Sequence, residues 1–156
     1  KKFLLKEEKK LIRNNIRLKF TGDLSSLPTE VRGVAERVVK NTSNGNGMTL
    51  VLAVNYGGKA EILNALKRIQ QQNLTLSEKS VEENLWVPEI PSIDLLIRTG
   101  GDQRISNFLL WQSAYAEIYF EECYWPDFNK KKFVEIISIC SQRERRFGDV
   151  IPKTHN

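Results

Sequence analysis

The chain has 156 residues, 40% of them hydrophobic and 28% charged, with a formal net charge of +5. That length suits one domain with its own core, and the composition excludes a disordered or low-complexity chain. No apolar run approaches the roughly 20 residues that a membrane-spanning helix needs, and the basic excess is too diffuse to select nucleic acid as a partner.

Two cysteines, Cys123 and Cys140, occur without a CxxC pair or a nearby histidine. They read as reduced thiols of a cytoplasmic protein, not as a zinc site or a disulfide framework. The single histidine, His155, sits in the tail, where an end segment is a better reading than a catalytic base. Residues 1–5 imitate the start of a signal peptide, but charge resumes at Lys6 and removes that reading.

In chain order, residues 1–14 read as the stump of a charged helix, with Leu4 and Leu11 seven apart. Ile16, Leu18 and Phe20 alternate with basic residues, a half-buried strand that ends at Thr21-Gly22-Asp23. Pro28 suits the first turn of a helix that carries Val31, Ala35 and Val38 on one face. Residues 41–47, rich in Asn and Gly, form a turn, and residues 49–54 a continuous apolar strand of parallel-sheet type. Met48 opens that strand and reads as an ordinary core methionine.

Asn55-Tyr56-Gly57-Gly58 then leads into a helix with Ile62, Leu66 and Ile69 on one face. Residues 77–85 suit a short capped helix, and Pro88 and Pro91 precede a strand over residues 93–97 that Arg98 and Thr99 terminate. Gly100-Gly101 turns the chain, and residues 107–117 read as a helix followed by a strand to Tyr124. Trp125-Pro126-Asp127-Phe128 makes a corner of packed aromatics. A last helix aligns Phe133, Ile136, Ile137 and Cys140, with Lys130 to Lys132 as a solvated face. Strands alternating with helices predict an α/β domain with a central, mostly parallel sheet and helices on both faces.

The stretch around Gly100-Gly101 carries the chemistry. Strand, glycine turn and helix start is a layout in which backbone N–H groups and a helix dipole converge on an anion. A Gly-Gly turn alone is only a turn. With Arg98, Arg104 and the Ser106 hydroxyl on the same short loop, a phosphate or diphosphate pocket becomes the better reading, because guanidinium forks match phosphate oxygens.

At these residues the chain resembles a known family. IRTGGDQRISNFLLWQSAYAEIYF, WPDF and RERRFG are similar to the carboxyl-terminal signature of cis-prenyltransferases of the undecaprenyl diphosphate synthase type, and IRLKFTGD and TLVLAVNYGGKAEI to that family's middle segments. The resemblance covers almost the whole chain. It implies the carboxyl-terminal part of a cis-prenyltransferase domain, Lys1 falling midway through it, without the family's amino-terminal Asp-Gly-Asn-Gly-Arg phosphate loop.

The resemblance further implies condensation of isopentenyl diphosphate with an allylic diphosphate to a polyprenyl, undecaprenyl-type, diphosphate. Its implied site is Arg98, Arg104, Ile105 and Ser106 for isopentenyl diphosphate, Glu117 for Mg²⁺, and Arg146 and Gly148 reaching into a partner subunit's site. It implies a cytoplasmic homodimer that touches the membrane to release product, with no nucleic-acid partner. The catalytic residues are expected on the amino-terminal segment, so residues 1–156 alone are expected to bind isopentenyl diphosphate weakly and not to turn over. A rival reading is a non-catalytic partner subunit of the same fold, against which the intact Arg98, Gly100-Gly101, Arg104 and Ser106 speak. One tension stands: a helix from Ser106 to Glu117, rising ~1.5 Å per residue, separates the two by about 16 Å, too far for one diphosphate.

Overall fold

The computed structural model describes residues 2–142, and these contain five α-helices and four strands. Helix α1 is Lys2–Arg13, β1 Arg17–Thr21, α2 Thr29–Thr42, β2 Thr49–Ala53, α3 Gly58–Gln71 and α4 Glu78–Asn84. After these come β3 Leu95–Thr99, β4 Glu117–Glu121 and α5 Lys130–Ser141. The strands pair in parallel, so the α/β class with parallel sheets is as expected. They form two pairs, β1 with β2 and β3 with β4, and the chain divides into two compact units at Ile90 and Pro91.

In the amino-terminal unit, β1 and β2 run in register from Arg17 opposite Thr49 to Thr21 opposite Ala53. Helices α1 and α2 pack together and against β1, burying Leu18, Ala35 and Val38. Two side-chain ties fasten this layer. Thr42 Oγ1 accepts from the Leu18 N–H at 3.1 Å, and Glu8 accepts from Arg37 and Asn41, whose bonds hold its carboxyl below the usual range, Asn41 most.

Helix α3 buries Gly58, Glu61, Ala65 and Ile69. This corrects the expected stripe of Ile62, Leu66 and Ile69, since Leu66 is exposed. The reason is Glu61, which accepts hydrogen bonds from the Tyr56 hydroxyl and from the Trp86 N–H at 3.3 Å, and so turns inward. Helix α4 is held by a capping box between Ser77 and Ser80. Met48 is 56% exposed, which removes the core reading.

In the carboxyl-terminal unit, β3 and β4 pair from Leu95 opposite Glu117 to Thr99 opposite Glu121. The strand expected over residues 93–97 lies two residues later, so Arg98 and Thr99 belong to it instead of ending it. The helix expected over residues 107–117 does not form. Ser106, Asn107 and Leu109 have φ of 45°, 64° and 43°, values that no right-handed helix contains, and successive turns fill the stretch. Ser106 therefore caps no helix. The aromatic corner is also corrected: Trp125 is 73% exposed, stacking on Phe128 at 5.8 Å. In α5 only Ile136 of the expected stripe is buried, with Phe133 and Ile137 exposed. Lys132, expected to be solvated, pairs with Glu121 at 2.9 Å. Cys123 and Cys140 are free thiols.

Candidate active site

Strand β3 delivers Arg98 to the carboxyl end of its sheet, the end at which parallel α/β folds place their ligands. Gly100 and Gly101 then reverse the chain with φ of 96° and 82°, which a residue with a Cβ adopts only under strain. The reversal brings Arg104, Ile105 and Ser106 back beside Arg98. These four residues, with Leu96, Ile97 and Phe108, line a cavity of about 230 Å³.

One carboxylate organises the two arginines. Asp102 Oδ2 accepts from Arg98 Nη2 at 2.9 Å and also from Arg104 Nη2. The other arm of Arg98 donates to Ser106 Oγ at 2.8 Å and to the Arg104 carbonyl. Asp102 thus offsets the repulsion between two guanidiniums and fixes their forks, while the three groups together keep one net positive charge for an anion. Ser106 accepts from Arg98, which leaves its hydroxyl hydrogen to donate to an incoming oxygen. Arg98 is the anchored member, its side chain 23% exposed, and Arg104 the outer one at 63%.

Asp102 was not among the site residues expected from the sequence, although it pairs with both arginines. Its spacing, four after Arg98 and two before Arg104, was the available signal. The source of the positive field also differs from the expectation. The Gly100 N–H donates to the Cys123 carbonyl at 2.9 Å and the Gly101 N–H to the Glu121 carbonyl at 3.1 Å. Those amides are spent within the protein, and no helix directly follows them, so the positive charge here comes from side chains and not from backbone dipoles.

Glu117 lies elsewhere in the unit. It opens β4 opposite Leu95, three positions before the residue that pairs with Arg98, about 10 Å along a strand at ~3.3 Å per residue. It does not line the arginine cavity. Among the described residues no three His, Cys, Asp or Glu side chains gather closely enough to hold a metal ion. A hard divalent cation bound mainly through substrate phosphates needs only one or two protein carboxylates, so the lack of a three-residue cluster among the described residues does not itself bar such an ion. Arg146 and Gly148 lie outside the described residues.

The amino-terminal unit holds a larger cavity of about 750 Å³, lined by Gly22, Asp23, Asn55, Tyr56, Arg68 and Trp86 among others. Its Asp23 carboxylate is already engaged by Ser25, whose hydroxyl and N–H hold its pKa down. Among the described residues of the lining Arg68 is the one cation, in contrast to the paired guanidiniums of the smaller cavity. Among the described residues no helix is long and apolar enough to cross a membrane.

Residues 1–148 match the protein family described as "Putative undecaprenyl diphosphate synthase". A ditrans,polycis-undecaprenyl-diphosphate synthase of Pasteurella multocida, (2E,6E)-farnesyl-diphosphate specific, is 46% identical over 149 residues, 91% of this chain and 62% of that protein. An isoprenyl transferase of Thermotoga maritima is 42% identical over 151 residues, 94% of this chain and 65% of its own length. The chain thus spans less than two thirds of the length of these curated relatives. Among solved structures, that of a "probable undecaprenyl diphosphate synthase" from Campylobacter jejuni matches with a TM-score of 0.88 at 40% identity, covering 95% of this chain and 70% of that one. Lavandulyl diphosphate synthase from Lavandula x intermedia, in complex with dimethylallyl diphosphate, matches with a TM-score of 0.89 at 31% identity, over 95% and 67% of the two chains. The chain belongs to the undecaprenyl diphosphate synthase family of prenyltransferases.

Proposed function

We propose that this chain carries the isopentenyl diphosphate half of a cis-prenyl chain-elongating site. The observation that carries the reading is the convergence of Arg98, Arg104 and Ser106 on one small cavity. At about 230 Å³ it is smaller than the ~300 Å³ at which pockets for drug-sized ligands begin, a size for a diphosphate headgroup and not for a polyprenyl tail.

In the proposed reaction two diphosphates have opposite fates. The allylic one leaves as the new carbon–carbon bond forms and a proton is lost from the isopentenyl unit. The homoallylic one must stay bonded and stay put. Arg98 and Arg104 clamp it through charge-assisted hydrogen bonds, Ser106 donates a further one and Ile105 contributes backbone. Arg146 and Gly148 are proposed to complete the site from a partner subunit. Glu117 would hold Mg²⁺, which when bound spreads the diphosphate charge.

A homodimer is proposed, for which the exposed apolar residues Tyr124, Trp125, Phe133, Val134 and Ile137 offer surface to cover. The product is a polyprenyl, undecaprenyl-type, diphosphate, released from the cytoplasmic side at a membrane surface.

The test is steady-state condensation of farnesyl and isopentenyl diphosphates with Mg²⁺, using the natural protein that contains this chain. Arg98→Ala raises the KM for isopentenyl diphosphate about a hundredfold and Arg104→Ala about tenfold, in keeping with one anchored and one outer arginine. Wild-type kinetics in both variants rejects the site. Isopentenyl diphosphate binding that depends on Arg98, without turnover, supports the non-catalytic partner reading instead.

A further inference from the structure

The arginine loop is hydrogen-bonded to a segment held by an ion pair, Glu121 with Lys132, that does not line the arginine cavity. Glu121 ends β4, its side chain 12% exposed, and its Oε1 accepts both from Lys132 Nζ at 2.9 Å and from the Cys123 N–H at 3.1 Å. Lys132 stands in the first turn of α5, where its own N–H donates to the Asn129 cap at 3.2 Å. The carboxylate therefore ties the end of a strand to the start of a helix and folds residues 121–123 around itself.

That folded segment presents two carbonyls to the glycine turn. Gly101 donates to Glu121 and Gly100 to Cys123, one position beyond the last β3–β4 pair, Thr99 with Glu121. No ladder continues past that pair, so these two bonds fix the height and tilt of the turn. Arg98 lies just before the turn, while Asp102, Arg104 and Ser106 lie just after it. A shift of residues 121–123 moves both ends of the clamp relative to each other.

We propose that Glu121 and Lys132 are positioning residues for isopentenyl diphosphate, acting through the Gly100 and Gly101 amides on the Arg98–Arg104 clamp. The inference rests on the site assignment above and is separable from it. Glu121 makes two contributions, a hydrogen-bond acceptor for Cys123 and a charge for Lys132, and substitution divides them. Glu121→Gln keeps an acceptor and loses the charge. Glu121→Ala loses both.

The experiment measures condensation kinetics and amide hydrogen exchange in the natural protein. Glu121→Ala raises the KM for isopentenyl diphosphate about tenfold, leaves the KM for the allylic diphosphate unchanged and alters kcat less than about twofold. Exchange at Gly100 and Gly101 accelerates while Leu96, inside β3, keeps its protection. Glu121→Gln and Lys132→Met give about two- to threefold changes of the same kind, and Lys132→Arg restores the wild-type KM. Wild-type KM and glycine exchange in Glu121→Ala overturns the inference. So does a loss confined to kcat with a lowered Tm, the mark of a merely structural role. Arg98→Ala serves as the control: if it raises the KM and Glu121→Ala does not, only the positioning role fails, and if neither does, the site assignment fails first.

Discussion

Each unit contains a strand followed by two glycines, and the two turns do opposite things. After β2, Gly57 has an extended φ of −153° and Gly58 starts a true helix, while the left-handed position falls on Asn55 with φ 47°. After β3, both glycines are left-handed and no helix follows. The first turn borders a 750 Å³ cavity that Arg68 lines, while residues on either side of the second line a 230 Å³ cavity whose Arg98 and Arg104 share a carboxylate. The smaller cavity is the chemically specific one. Paired guanidiniums and a hydroxyl offer the donors that the proposed diphosphate requires, whereas volume alone selects nothing.

The comparison can be broken most severely in the amino-terminal unit. Gly22, which follows β1, has φ 110°, and a Cβ there meets the Val54 carbonyl oxygen at 2.1 Å. Gly22→Ala is expected to cost about 4 kcal/mol, read by chemical denaturation, because the clash is with backbone and cannot be relieved by a rotamer change. Gly57→Ala, at an extended φ, should cost no more than about 1 kcal/mol. Equal effects would mean that the left-handed backbone and the Val54 contact at Gly22 carry no more strain than the extended Gly57.

Next in size is Arg98→Ala, whose hundredfold rise in KM for isopentenyl diphosphate corresponds to about 2.7 kcal/mol. Arg68→Ala, in the larger cavity, should leave that KM unchanged. Reversal of this order would make the larger cavity the diphosphate site.

Glu61→Ala comes third, at about 2 kcal/mol of stability measured by thermal or denaturant unfolding. It leaves the Trp86 N–H and the Tyr56 hydroxyl without their acceptor, and it should act on the first turn without altering isopentenyl diphosphate use.

The smallest effect is on acid stability in the second unit. The Lys132 bond first, and the Cys123 N–H after it, bring the Glu121 carboxyl from an ordinary 4.5 down to about 2. A carboxyl whose pKa falls on folding stabilises the native state above about pH 4.5, and that contribution is lost as pH drops from 4.5 towards 2. Unfolding followed by circular dichroism across this window should be less pH-dependent in Glu121→Gln than in the parent. Indistinguishable slopes would mean that the ion pair does not persist in solution.

Much of this molecule was legible from pattern alone. Alternation at Ile16, Leu18 and Phe20, the apolar run from Thr49 and the Ser77 cap each depend on neighbours a few residues away, and β1, β2 and α4 formed within a residue or two of the expected positions. The likeness around Arg98, Arg104 and Ser106 was equally local, since all three lie within nine residues. Reading residues 107–117 as a helix failed because apolar content there is also what a packed series of turns requires, and only the left-handed φ values distinguish the two.

Composition and spacing by themselves determined the α/β class, the order of the strands and of the helices other than the one expected over residues 107–117, and the loop that bears the arginines, because each follows from local periodicity and residue chemistry. Tertiary structure decided what those groups do. It directed Glu61 inward to Tyr56 and Trp86, set Asp102 between two guanidiniums, and spent the glycine amides on carbonyls some twenty residues further along the chain. Such pairings join positions whose separation in sequence carries no signal, and they exist only once folding has brought a donor and an acceptor out of water together.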